Sequence, residues 1–179
     1  GAGLVEYDLL TRRDSGAIAL DNFYWTAPWA TNGLGNLVTD ALRSATGAEV
    51  ALHNTLGLRG NIPAGPITQQ IIQHILPFDN EVTVLQLKGS DLAELLKNAY
   101  ATEKFLYPSG LTYEIDSGPQ KMEILVKLPF GKAPFNKDSI YKVAMPAYLA
   151  EKRAGYPIAA AAEVRDDDGA KVREVVEDY

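Results

Sequence analysis

The sequence predicts an α+β protein, a single compact domain in which a mixed β-sheet is flanked by helices. Three observations predict it. Strand-like and helix-like patterns follow one another unevenly, which suits a mixed sheet better than a strictly alternating doubly wound one. The 179 residues, 46% of them hydrophobic, are enough for one sizeable core and too few for two full catalytic domains. No internal repeat or low-complexity linker divides residues 1–179 into separate units.

Taken in order, residues 4–29 carry an uneven apolar pattern that ends in the aromatic cluster Phe23, Tyr24, Trp25 and Trp29, read as packing rather than as a stacking platform. Thr31 or Asn32 is placed to cap a helix over the next fifteen residues. Leu34, Leu37, Val38, Ala41, Leu42 and Ala45 fall at helical spacing along it, and Gly47 ends it. Asn36 and Asp40 share one face of that helix, read as a solvated or hydrogen-bonded face. AEVALHN, residues 48–54, is a buried strand in which His53 and Asn54 point to opposite sides. Residues 67–75 read as a short helix started by Thr68, and VTVLQLK over 82–88 as a strand by alternation.

The run from Ser90 to Tyr100 is an amphipathic helix opened by Ser90 or Asp91. GLTYEID from Gly110 and KMEILVKL from Lys121 are two strands joined by Ser117-Gly118-Pro119, the composition of a hairpin loop. SIYKVAM over 139–145 is a further strand, and Tyr148-Leu149-Ala150 begins a short turn or helix after Pro146. The tail from Asp166 to Tyr179 reads as a closing helix with an acidic start, because Val172, Val175, Val176 and Tyr179 recur at helical spacing.

Composition narrows the function. A net charge of −6, a pI near 4.9 and the lack of any Lys/Arg block argue against a nucleic-acid polymer as partner. There are no cysteines, which removes disulfide and thiol chemistry. The two histidines, His53 and His74, stand outside any metal-ligand spacing, so no metal site is expected and both are read as structural or surface residues. No apolar run approaches the ~20 residues of a membrane span, and the opening GAGLVEYDLL lacks the charged-then-apolar layout of a signal peptide.

The chemistry concentrates between Ala48 and Asn80. A strand ends at Asn54, a Gly-bearing turn presents Arg59, and Pro77-Phe78 leads into the next strand. An amide, a guanidinium fork and an aromatic face together suit a polar, planar, anionic ligand. None of the three is a nucleophile.

Five short motifs occur in one order. They are G35-N36-L37-V38-T39-D40-A41-L42, then A48-E49-V50-A51-L52-H53-N54 with G57-L58-R59, the I-P-A-G-P-I-T run from Ile62 to Thr68, L76-P77-F78, and S109-G110-L111-T112-Y113. Over residues 30–156 the chain resembles the C-terminal domain of the 5'-nucleotidase family, which includes bacterial UDP-sugar hydrolases and animal ecto-5'-nucleotidases. The resemblance implies a substrate-recognition domain that is not catalytic alone. It implies that phosphoester hydrolysis belongs to an N-terminal metallophosphatase domain with two divalent metals, absent from these residues and supplied in cis or in trans. No cofactor is expected in this chain, and a periplasmic or secreted location is.

Carried over by motif, the resemblance gives Asn54 a base-contacting role and Arg59 a phosphate-directed one, and it makes Phe78 and Tyr148 an aromatic pair stacking on a nucleobase. Two positions depart from the family pattern. A second family Arg falls near Pro28, and a ribose-gripping Asp falls on Ala154 in K152-R153-A154-G155-Y156, where the family reads GGDGY. The expected ligand is therefore a nucleotide or nucleoside-like small molecule. The competing expectation is a diverged stand-alone module for another ligand or a protein partner.

Overall fold

The computed structural model describes residues 33–117, 122–129, 133–162 and 165–179. Helix α1 spans Gly33–Thr46 and β1 Val50–Asn54; after a 3-10 turn at Thr55–Gly57 come α2, Gln69–Ile75, and β2, Glu81–Lys88. Helix α3 covers Gly89–Ala101, followed by β3, Leu106–Ser109, and the antiparallel hairpin of β4, Thr112–Ser117, with β5, Met122–Lys127. Strand β6 runs Ile140–Pro146 and passes through 3-10 turns at Ala147–Ala150 and Lys152–Ala154 into the one-turn helix α4, Pro157–Ala160. Strand β7, Arg165–Lys171, and α5, Val172–Asp178, close the chain.

Five strands form one sheet in the order β3-β1-β6-β2-β7. The β1–β6 pair is parallel and the other pairs are antiparallel, so the sheet is mixed. Side-chain alternation sends the two faces of each strand into different cores. Val50, Leu52, Val143, Met145, Leu85 and Leu87 face α3 and the β4–β5 hairpin. Ala51, Ala144 and Val82 face α1, α2 and α5. With both faces covered, the central strands lose their polar face, which is why VAL in β1 is buried throughout.

Local chemistry explains the start of α2, whereas α3 starts at Gly89, ahead of Ser90 and Asp91, with Lys88 before it and no side-chain cap. The Thr68 side chain accepts the Ile71 N–H at the start of α2, satisfying one of the donors that the first turn leaves open. Helix α1 is held to β3 through side chains: Arg43 Nε donates to Ser109 Oγ at 2.8 Å, and Ser109 Oγ donates to the Asp40 carboxylate. Asp40 is thus part of a structural link, which accounts for one polar residue of the face it shares with Asn36. Thr39, fully buried, returns its hydroxyl to the Gly35 carbonyl at 2.9 Å.

Three elements differ from the sequence reading. The acidic segment RDDDGAK is not the start of a closing helix but strand β7, paired antiparallel with β2; the helix begins only at Val172. Sheet pairing to an open edge supplies hydrogen bonds that helical spacing does not reveal. The short LYPS strand, β3, carries a Pro and too few residues to alternate, and it exists because β1 offers its edge. The single turn α4 has no counterpart in the hydrophobic pattern. The aromatic cluster at Phe23, Tyr24, Trp25 and Trp29, the capping positions Thr31 and Asn32, and Pro28 lie outside the described residues.

Candidate ligand site

Strand direction brings the candidate residues to one end of the sheet. Strand β1 ends at Asn54, its parallel neighbour β6 ends at Pro146, and β2, antiparallel to β6, starts there with Val82 opposite Pro146. Asn54 therefore lies at the same sheet end as Tyr148, two residues beyond Pro146, and as Phe78, three residues ahead of Glu81. The three sit at the ends of β1, β6 and β2, consecutive in the sheet.

Asn54 is half-buried. The absent Cβ of Gly57 leaves room for it, since a Cβ there would sit 2.7 Å from Asn54 Oδ1 and 2.5 Å from the His53 ring. This gives the N-x-x-G spacing a steric reason. His53 is buried to 2% exposure on the other face, and its Nδ1 lies 3.0 Å from the Asn54 carbonyl. A carbonyl only accepts, so the ring proton is on Nδ1. Burial pushes the His53 pKa down to about 4, partly opposed by this hydrogen bond, and the imidazole is neutral near pH 7.

Arg59 and Phe78 meet although nineteen residues separate them in the chain. The Arg59 N–H donates to the Ile75 carbonyl at 2.9 Å, tying the loop to the end of α2 just before Pro77-Phe78. The guanidinium carbon then lies 5.2 Å from the Phe78 ring centroid, a cation–π arrangement. Arg59 Nη1 donates to the Leu56 carbonyl and to the Leu58 carbonyl, the latter at 3.1 Å. Nε and Nη2 have no partner among the described residues, so part of the donor fork is open. Phe78 is 45% exposed, unusual for a large aromatic.

The Phe78 loop is fixed from the other side by Asp79. Its carboxylate pairs with Lys171 Nζ at 2.6 Å and Arg173 Nη2 at 3.0 Å, and the Lys171 ammonium holds the Asp79 pKa below the usual carboxylate range. The Val172 N–H donates to the Asn80 carbonyl at 2.9 Å. An exposed ring on an anchored loop is a preorganised contact surface.

Tyr148 is half-buried in the 3-10 turn after β6 and packs against the core on the α3 side. Arg153, ion-paired with Glu151, places its guanidinium carbon 5.7 Å from the Tyr148 ring centroid. No spacing pattern in the sequence marks Arg153 for this contact. Ala154 is 7% exposed within the apolar core. Its carbonyl accepts from Lys104 Nζ at 3.3 Å. Among the described residues no group of three or more His, Cys, Asp or Glu side chains is gathered as a metal set, and no helix is long and apolar enough to cross a membrane.

A family model described as 5'-nucleotidase, C-terminal domain, matches residues 15–161. The chain belongs to that family. A 5'-nucleotidase precursor from Thermus thermophilus has the same fold, with a TM-score of 0.80 and 31% identity, over 91% of this chain and 35% of that one. The trifunctional nucleotide phosphoesterase protein YfkN of Bacillus subtilis is 26% identical over 85% of this chain and 11% of its own length. The 5'-nucleotidase of Bos taurus is 27% identical over 82% of this chain and 30% of its own. The chain thus spans about a third or less of these relatives.

Proposed function

We propose that this chain is the nucleotide- or nucleoside-recognition domain of a 5'-nucleotidase-like phosphohydrolase and is not catalytic alone. In this reading hydrolysis is done by a metallophosphatase domain carrying two divalent metals, joined in cis or supplied in trans, and the assembly works in the periplasm or outside the cell. The single observation that supports it is the Arg59 guanidinium over the half-exposed Phe78 ring, at the sheet end that also carries Asn54 and Tyr148. An aromatic face gives dispersion contact to any planar base, and an open guanidinium fork takes a phosphate.

Titration calorimetry tests this directly. Phe78→Ala is expected to weaken adenosine binding about tenfold or more, since a ring-to-base contact contributes roughly 1 to 3 kcal/mol. Arg59→Ala is expected to weaken adenosine 5'-phosphate more than adenosine. Absence of any nucleoside or nucleotide binding at millimolar ligand would sink the reading. A separate expectation concerns catalysis: two-metal hydrolysis needs clustered Asp, His and Asn ligands, so the chain with added divalent metal should release no phosphate from adenosine 5'-phosphate or UDP-glucose above the metal-only blank. Turnover that copurifies with the chain would contradict it.

One observation favours a second reading. Ala154 supplies no carboxylate to grip a ribose, which suits a diverged module that binds a different ligand or a protein partner. The calorimetric null result above would leave that reading standing.

A further inference from the structure

The cations at the site end of the sheet fall into two groups. Lys171 and Arg173 are paired with Asp79, and Arg153 with Glu151. Arg59, exposed Lys152 and Lys104 form the second group, without a carboxylate partner among the described residues, and Lys104, just ahead of β3, is the one held against a carbonyl from another element. It is half-buried, and among the described residues its Nζ has one partner, the Ala154 carbonyl at 3.3 Å, with no carboxylate in ion-pair range.

Its backbone is held on both sides. The Lys104 N–H donates to the Ala99 carbonyl at 2.8 Å at the end of α3, and its carbonyl accepts the Tyr156 hydroxyl at 3.1 Å. An ammonium carries three N–H donors, and a single bond to a neutral carbonyl leaves two of them unused. An anion in contact with the ammonium would accept from them. The bond to Ala154 places this cation against the turns that follow Tyr148.

We propose that Lys104 is a second anion-binding residue of the site, taking a phosphate on the ribose of a nucleotide whose base rests on the Phe78 and Tyr148 rings. The inference rests on the nucleotide reading above and extends it to the ligand class, a nucleoside carrying two separated phosphates. The reason is spacing. Lys104 precedes β3 and Arg59 leans over Phe78 ahead of β2, with β1 and β6 between those strands in the sheet. Strands about 4.8 Å apart put the two positions on the order of 14 Å from one another at the backbone. Arg59 is held over Phe78 and Lys104 on the Ala154 carbonyl, so two phosphates on either side of a ribose can serve the two cations where each is held.

The test is calorimetry on the full chain with adenosine, adenosine 5'-phosphate, adenosine 3',5'-bisphosphate and inorganic phosphate. Parent, Lys104→Gln and Lys104→Arg proteins are compared. Gln keeps an N–H donor for the Ala154 carbonyl and removes the charge, so melting close to that of the parent is expected. In the parent the second phosphate should tighten binding about tenfold or more. Lys104→Gln should abolish that gain, read in each protein as the ratio of bisphosphate to monophosphate affinity, and Lys104→Arg should restore it. A gain of less than about twofold in the parent, or a gain that survives in Lys104→Gln, overturns the proposal and leaves the nucleotide reading intact. If no nucleoside or nucleotide binds, the nucleotide reading falls. Inorganic phosphate then decides for Lys104: binding lost in Lys104→Gln keeps the anion site, and binding unchanged or absent removes it.

Discussion

Lowering the pH from about 6.5 to 4 is expected to remove roughly 3 kcal/mol of stability through one residue, His53. Its pKa is pushed from 6.5 in the unfolded chain down to about 4 in the fold, because the ring is buried and the site excludes the charged form. Above pH 6.5 both states hold the ring neutral and the residue contributes no pH dependence. Below 6.5 the unfolded chain takes up a proton that the native state refuses, so stability falls until the native ring also protonates near pH 4. Chemical denaturation across this range should show the loss in the parent and a much flatter profile in His53→Gln, measured against the carboxylates common to both. Equal slopes in the two proteins would contradict the assignment. The same substitution loosens the hydrogen bond that fixes the Asn54 carbonyl, so Asn54-dependent ligand affinity should fall with it.

Gly35→Ala is expected to destabilise the fold by about 2 kcal/mol, although alanine is the better helix former. A Cβ at this position in α1 would stand 2.4 to 2.7 Å from three atoms of the Tyr107 ring. Tyr107 is 8% exposed and its strand is fixed in register, with His53 opposite Tyr107. Overpacking of this kind costs up to about 3 kcal/mol, and the gain in helix propensity returns about 1. The steric cost wins. For a chain of this size the melting temperature should drop by roughly 4 to 8 °C, and pairing the change with Tyr107→Leu should recover most of it. A single variant that melts with the parent would show that the ring yields freely. The first glycine of the G-N-L motif is thus a packing residue, needed so that α1 can lie on β3.

Other motif residues divide the same way. Thr39 and Asp40 bind within α1 and to Ser109, and Gly57 admits the Asn54 side chain; they build the frame. Phe78 and Arg59 leave functional groups open to solvent at the sheet end. A sequence pattern does not separate these two kinds of residue, since both arise from fixed spacing in the chain.

The α+β class, the amphipathic helices at Gly33–Thr46 and Gly89–Ala101, the strands around Val50, Val82 and Ile140, and the family are legible along the chain. These depend on hydrophobic period, capping residues and motif order, which are local properties of the chain. Folding makes RDDDGAK a strand and pairs LYPS with β1, because a sheet edge contributed from elsewhere overrides weak local preference. It also decides which residues meet. Arg59 reaches Phe78 through one backbone bond to the end of α2, Arg153 lies over Tyr148, and Lys104 finds Ala154 fifty residues away. Such contacts are set by strand direction and sheet order, and no spacing along the chain encodes them.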